Sequence, residues 1–296
     1  MALEPDARRL MDRFLAAGIA ALMLTAAHGQ PVNAPHKPMR IVSLNMCVDE
    51  LVVRLADRKN IASVTWLSLS PGNSNVADLV AGLPVNHGLA EQIIPLNPDL
   101  VIAGAYTTRT AVALLKRTGI PVMEVDVPHS IDEMRAQYRD IGDVLGERER
   151  AERILADIDA RLVMLPAARP AVRPRAIVLN PNGVTVGPGT LADELITRAG
   201  FENVAATLGI DNYGQVPLET VVANAVDVLL LSAARDGPPA MATEILKHPV
   251  LTALSGRTRL VVMPNRLWNC GGPAVVDAIE LLMRAAGDVR AAAQRP

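Results

Sequence analysis

Leu89-Ala90-Glu91-Gln92-Ile93-Ile94, continued by Asn97-Pro98-Asp99-Leu100-Val101-Ile102, returns in the second half of the chain as Pro217-Leu218-Glu219-Thr220-Val221-Val222 and Ala225-Val226-Asp227-Val228-Leu229-Leu230. In both copies a glutamate precedes an apolar pair by two and three residues, and an aspartate opens an apolar strand at the same distance. A second echo runs alongside. Arg40-Ile41-Val42-Ser43-Leu44-Asn45 leading to Asp49-Glu50-Leu51 is matched by Arg175-Ala176-Ile177-Val178-Leu179-Asn180 leading to Asp193-Glu194-Leu195. Repetition on this scale predicts two related halves, each offering one acidic residue at a corresponding place.

Working outward, apolar strand-length runs alternate with amphipathic helical stretches, the pattern of mostly parallel α/β sheets covered on both faces. Strands are predicted at Arg40 to Leu44, Ile61 to Thr65, Leu100 to Ala103 and Val122 to Val125, then at Arg175 to Leu179, Val228 to Leu231 and Leu260 to Met263. Helices are predicted at Asp49 to Ala56, Thr110 to Thr118, Thr190 to Ala199, Ala242 to Leu246 and Pro273 to Ala286. Between the halves, Glu147 to Leu165 is dense in Ala, Glu, Arg and Leu, with Ile154, Ile158, Leu162 and Leu165 at helical spacing. A stiff helix of roughly 30 Å is expected there, permitting only small opening and closing motions. The resulting fold class is two Rossmann-like α/β lobes joined by one long helix. The boundaries are a signal segment at 1–29, an N-terminal lobe at 38–130, a helical connection at 131–170 and a C-terminal lobe at 171–296.

The first residues read as an export signal: Arg8, Arg9 and Arg13 precede an apolar run from Phe14 to Ala27, and Ala27-His28-Gly29 offers a small-x-small cleavage site. The acidic Glu4, Asp6 and Asp12 would fit better if translation began at Met11. The run is shorter than the about 20 apolar residues that span a bilayer. A free periplasmic protein beginning near Gln30, monomeric and not embedded in membrane, is expected. Half of all residues are apolar and a fifth are charged, as suits a soluble core, and a net charge of −2 gives no reason to expect nucleic acid.

Ligands of open parallel sheets bind beyond the carboxyl ends of the strands. Asn45, Met46 and Cys47 follow the first strand, Trp66 the second, Tyr106 the third, Asn180 the first strand of the second half, and Trp268-Asn269-Cys270 the last. Tyr213 precedes the second copy of the repeated phrase. Aromatic residues make up only 2% of the chain, and four of the six beyond the signal (Trp66, Tyr106, Tyr213 and Trp268) fall in such loops. Rings in loops suggest walls for a bulky or flat ligand, although each could also cap its own lobe's core. Cys47 and Cys270 are compatible with an inter-lobe disulfide, two separate thiols or a soft-metal pair. Gly187-Pro188-Gly189-Thr190 lacks the spacing and lysine of a phosphate loop and reads as a turn. No G-x-S-x-G or H-E-x-x-H occurs.

These residues resemble the cluster III periplasmic binding proteins, the solute-binding components of ABC importers for iron–siderophores, haem and cobalamin. R-I-V-S-L-N with Asp49-Glu50-Leu51, and Glu91-Gln92-Ile93-Ile94 with Pro98-Asp99-Leu100-Val101-Ile102, carry the resemblance, which runs from about Pro38 to Ala285. It implies two lobes with the ligand between them and docking on a permease dimer, served by ATPase subunits, through one glutamate per lobe, here Glu91 and Glu219. It places ligand-lining aromatics at Trp66, Tyr213 and Trp268. The protein is then not an enzyme and carries no intrinsic cofactor. Its ligand would be a metal chelate: a ferric–siderophore of modest charge first, then a corrinoid, then haem, since Arg109 and Arg266 are the only evident cations near the cleft. The rival readings are an exported two-lobed enzyme acting on a nucleotide or sugar, and a metallochaperone using the two cysteines.

Overall fold

Ile41–Ser43 forms β1, the centre of a five-stranded sheet with β2 (Ile61–Thr65), β3 (Val85–Asn86), β4 (Leu100–Gly104) and β5 (Val122–Val125). The order is β3-β2-β1-β4-β5 and every pairing is parallel. The computed structural model describes residues 37–166, 172–233, 240–254 and 256–293, so the expected signal segment lies outside the described residues. A second parallel sheet runs β11-β10-β6-β8, from Arg259–Met263, Val228–Ser232, Arg175–Leu179 and Glu202–Asn203. Beside it β7 (Val184–Val186) and β9 (Tyr213–Gln215) pair antiparallel. The neighbours β2-β1-β4-β5 correspond one for one to β8-β6-β10-β11, so the echo in the sequence is an echo in topology.

The repeated aspartates explain why. Asp99 accepts from the backbone N–H groups of Met39 (2.7 Å) and Arg40 (2.9 Å), and its own N–H donates to the Arg40 carbonyl. Asp227 accepts from the N–H of Arg175 (2.7 Å) and donates to the Arg175 carbonyl. Each repeated arginine then turns back on the loop before the neighbouring strand: Arg40 Nε donates to Leu96 O and Arg175 Nη1 to Asn224 O. One aspartate per lobe thus fixes the register of the central strand pair by charge-assisted bonds.

The other echo does comparable work in helices. Helix α1 (Met46–Leu55) is capped by Asn45, whose side-chain oxygen accepts from Cys47 N. Its residue Asp49 is buried and accepts from Thr65 N, Thr65 Oγ1 and Ser68 Oγ, tying α1 to the end of β2. Burial pushes this carboxyl above its usual range against those hydrogen bonds. Three short or peripheral helices follow in the N-terminal lobe: α2 (Ala77–Val80), α3 (Ala90–Ile93) and α4 (Arg109–Arg117). The counterpart of α1 is α7 (Leu191–Arg198), capped by Thr190, and Asp193 there accepts from Asn203 Nδ2 at 2.8 Å at the edge of β8.

The connection consists of α5 (Ile131–Val144) and α6 (Arg148–Met164). The second matches the long helix expected at 147–165, and its 17 residues rise about 25 Å. Ser130 caps α5 through Glu133 N, at the start of the helical connection expected from residue 131. After α7 come α8 (Val204–Thr207), α9 (Leu218–Ala223), α10 (Pro249–Leu254), α11 (Asn265–Trp268) and the longest helix, α12 (Ala274–Ala293). The stretch expected as a helix at Ala242 to Leu246 is a 3-10 run, Met241–Lys247. Gly187 and Gly189 form a plain turn: Thr190 Oγ1 donates to Gly187 O, and a Cβ at Gly187 would stand 1.9 Å from Ile210 O.

One apolar core passes through both lobes. It includes Val48 and Leu51 of α1, Met134 and Tyr138 of α5, Ile158 of α6, Leu195 of α7, and Ile279 and Leu282 of α12. Two smaller cores fill the opposite faces of the sheets. The described residues from Lys37 onward accordingly form one compact unit.

Candidate functional site

The carboxyl ends of the two sheets face a cavity of about 140 Å³. From the N-terminal lobe it is lined by Asn45, Cys47, Val48 and Leu51 around the start of α1, and by Gly104 to Tyr106 after β4. Val125 to Pro128 and Gln137, where β5 runs into α5, form another wall. The C-terminal lobe supplies Leu191 and Ala192 of α7, Tyr213 of β9, and Trp268 to Gly271 after α11. Tyr106 is 78% exposed and Tyr213 half-exposed at the rim. Burial, and secondarily the nearby Tyr106, raise the Tyr213 phenol above its ordinary range, so both rings flank one opening.

Of the residues singled out from sequence, the cavity brings together Asn45, Cys47, Tyr106, Tyr213, Trp268 and Cys270. Met46, Trp66 and Asn180 are not among its lining residues. Met46 is half-buried on α1. Trp66 begins a 3-10 turn after β2 and stacks on His87, with ring centroids 5.9 Å apart. Asn180 follows β6, where its N–H donates to Val184 O. The rule that ligands lie beyond strand ends names correct loops, but a loop's first residue need not be the one that turns inward. Val127, Pro128 and Asp126 follow β5 and were legible by that same rule. Gln137, Leu191 and Ala192 sit on helices and carry no such signal.

Cys47 and Cys270 are joined as a disulfide, with Cα atoms 5.1 Å apart. No other cysteine exists in the chain. Among the described residues no cluster of His, Cys, Asp and Glu could hold a metal ion. Among the described residues the lining contains no lysine, arginine or histidine, and its one ionisable carboxylate is Asp126. Arg266 lies outside it, with Nη1 donating to Asn75 Oδ1 at 3.3 Å.

Behind the cavity the two copies of Asp-Glu-Leu reach across the lobes. Glu194 pairs with Arg198 (2.7 Å) and accepts from Ile131 N, at the start of α5 (2.7 Å). Glu50 pairs with Arg54 (3.1 Å) and lies against Gly272, just before α12, where an added Cβ would stand 2.9 Å from Glu50 Oε1. Glu194 therefore meets the first N–H of α5, where a carboxylate is favoured by the exposed N–H groups, and Glu50 lies beside the turn that leads into α12. Glu50 is 3% exposed, and burial raises its carboxyl despite Arg54.

Glu91 and Glu219 occupy the second position of α3 and α9, both exposed. Neither forms an ion pair among the described residues.

The sequence profile of the periplasmic binding protein family matches residues 41–257. The chain belongs to that family. It is 26% identical over 267 residues to a "Cobalamin-binding protein" of Halobacterium salinarum, covering 88% of this chain and 72% of the relative. It is 24% identical over 270 residues to a "Ferric-anguibactin-binding protein" of Vibrio anguillarum, covering 84% and 78%. Among solved structures, the apo form of a periplasmic heme-binding protein from Roseiflexus sp. RS-1 superposes with a TM-score of 0.67 at 26% identity, covering 83% of this chain and 98% of that one. Among the described residues no helix is long and apolar enough to cross a membrane.

Proposed function

We propose that the protein is the periplasmic substrate-binding component of an ABC importer and that its ligand is a corrinoid. The observation that carries the ligand is the charge of the cavity: aromatic and amide side chains line it, and among the described lining residues Asp126 is the only ionisable carboxylate and no cation occurs. Haem propionates and anionic ferric chelates would meet no counter-charge among those residues. A corrinoid, with a periphery of neutral amides, would find Asn45, Gln137 and Asn269 as partners and Tyr106, Tyr213 and Trp268 as flat apolar surfaces. The cavity is smaller than the roughly 300–1,000 Å³ of sites that engulf a drug-sized ligand. A macrocycle would be held by part of its periphery, with the remainder outside the Tyr106–Tyr213 rim. The similarity to a named cobalamin-binding protein supports this reading. It replaces the ferric–siderophore preference drawn from sequence.

Delivery would use Glu91 and Glu219, exposed at corresponding positions of the two lobes and suited to a two-fold permease. Titration with cyanocobalamin, haemin and a ferric hydroxamate, followed by visible absorbance, tests the ligand. Tight binding of cyanocobalamin alone is expected; binding of either iron chelate without the corrinoid overturns the assignment. For docking, Glu91→Arg with Glu219→Arg should preserve ligand affinity and abolish transport. Undiminished transport removes those two glutamates from the interface.

A further inference from the structure

Residues Trp268 to Gly271, at the end of α11 and the start of its turn into α12, form a wall of the cavity. Atoms of α1, of the turn after β5 and of α5 meet the segment from Cys270 to Gly272. Cys270 is bonded to Cys47 on α1. A Cβ at Gly271 would stand 2.9 Å from Met134 Cγ and 3.0 Å from Pro128 Cγ, and one at Gly272 would stand 3.0 Å from the Tyr138 hydroxyl. A side chain at either place would force these neighbours to shift. Just upstream, Asn265 Nδ2 donates to Asn73 Oδ1 (3.1 Å), and Asn75 both donates to Arg266 O and accepts from Arg266 Nη1. Ser232 Oγ donates to Asn265 Oδ1, anchoring α11 to its own sheet as well.

Trp268 and Asn269 therefore lie between two sets of anchors, the asparagine contacts before them and the cystine and glycines after them. The asparagine contacts are exposed and compete with water, whereas Cys270 is buried. The covalent anchor is the one that does not dissociate. We propose that the Cys47–Cys270 disulfide is a positioning device for the ligand site, holding Trp268 and Asn269 as a preformed wall so that binding does not have to order them. This rests on the cleft being the ligand site, and it adds a role for the cystine that the corrinoid assignment does not require.

Trp66→Phe leaves Trp268 as the sole tryptophan. Acrylamide quenching of its fluorescence is measured in the oxidised protein, after reduction with dithiothreitol, after reoxidation with oxidised glutathione, and in Cys47→Ala/Cys270→Ala. Far-ultraviolet dichroism at the same temperature checks that the helices persist. The quenching constant should rise about twofold or more on reduction, return on reoxidation, and stay high in the double variant. Unchanged quenching in the reduced, folded protein overturns the proposal. Cyanocobalamin dissociation, followed by absorbance, should quicken about tenfold on reduction; equal rates in both states also overturn it. If the oxidised protein fails to bind cyanocobalamin, the corrinoid assignment falls, while the quenching result still decides the role of the cystine.

Discussion

The two lobes use the same devices with unequal strictness. Asp99 fixes two backbone N–H groups where Asp227 fixes one. Glu50 is buried and Arg54 half-buried, while Glu194 is half-buried and Arg198 exposed. The loop before the repeated aspartate takes the left-handed conformation in both lobes, through Asn97 (φ +47°) in one and Ala225 (φ +46°) in the other. Asparagine tolerates that region and alanine does not. Matching devices maintain the topology, and the tighter of the two glutamates, Glu50, is the one that lies against the C-terminal segment at Gly272.

The cystine is shared by both lobes, so its removal should have the largest effect. Cys47→Ala/Cys270→Ala is expected to lower unfolding free energy by about 2–5 kcal/mol, given the long loop it closes, measured by urea denaturation of the oxidised and variant proteins. Next, Glu50→Ala should cost about 3 kcal/mol because it leaves Arg54 facing an emptied buried site, against about 1 kcal/mol or less for Glu194→Ala at the more exposed pair. Equal losses would show that burial does not distinguish the lobes.

Glu50 also predicts a pH signature. Its folded-state carboxyl is raised, so the folded protein holds that proton more tightly than the unfolded chain. The contribution is most favourable below the ordinary glutamate value of 4.5 and is lost as pH rises through the folded value. Wild type should therefore lose stability relative to Glu50→Gln between acidic and neutral pH; the same pair of urea curves at each pH reads it. Asp99→Ala should cost about 1–3 kcal/mol and exceed Asp227→Ala by roughly one hydrogen bond, about 1 kcal/mol. Smallest of all, Ala225→Gly should stabilise by about 0.5–1 kcal/mol by relieving the left-handed alanine, while Asn97→Ala should destabilise by a similar amount.

Most of the sheet framework was legible because long apolar strands such as Leu100–Gly104 and Val228–Ser232 are bounded by recognisable turns. The two-residue strands β3 and β8 were not, since Val85-Asn86 and Glu202-Asn203 have no periodicity to read. Their positions depend on Asn86 and Asn203, whose side chains donate to the carbonyls of Val64 in the adjacent β2 (3.0 Å) and of Val186 in β7 (2.9 Å). At the site, Tyr106, Tyr213 and Trp268 could be chosen because rings are scarce and sit in loops. Trp66 met the same test and turned instead against His87, a pairing that only tertiary structure decides. The clasp formed by Glu50 and Glu194 was visible as a repeated Asp-Glu-Leu, but its reach into the opposite lobe depends on where α5 and α12 begin.

The shared core has a consequence for the order in which the molecule is completed. Val48, Leu51 and Tyr138 pack in one cluster with Ile279 and Leu282 of the last helix, and Glu50 lies against Gly272. The N-terminal lobe thus cannot finish burying its own α1 until the final stretch of polypeptide has arrived. Contacts so distant along the chain form slowly. A chain translocated from its N-terminus would wait, with its first lobe assembled but unsealed, for the last helix to close it.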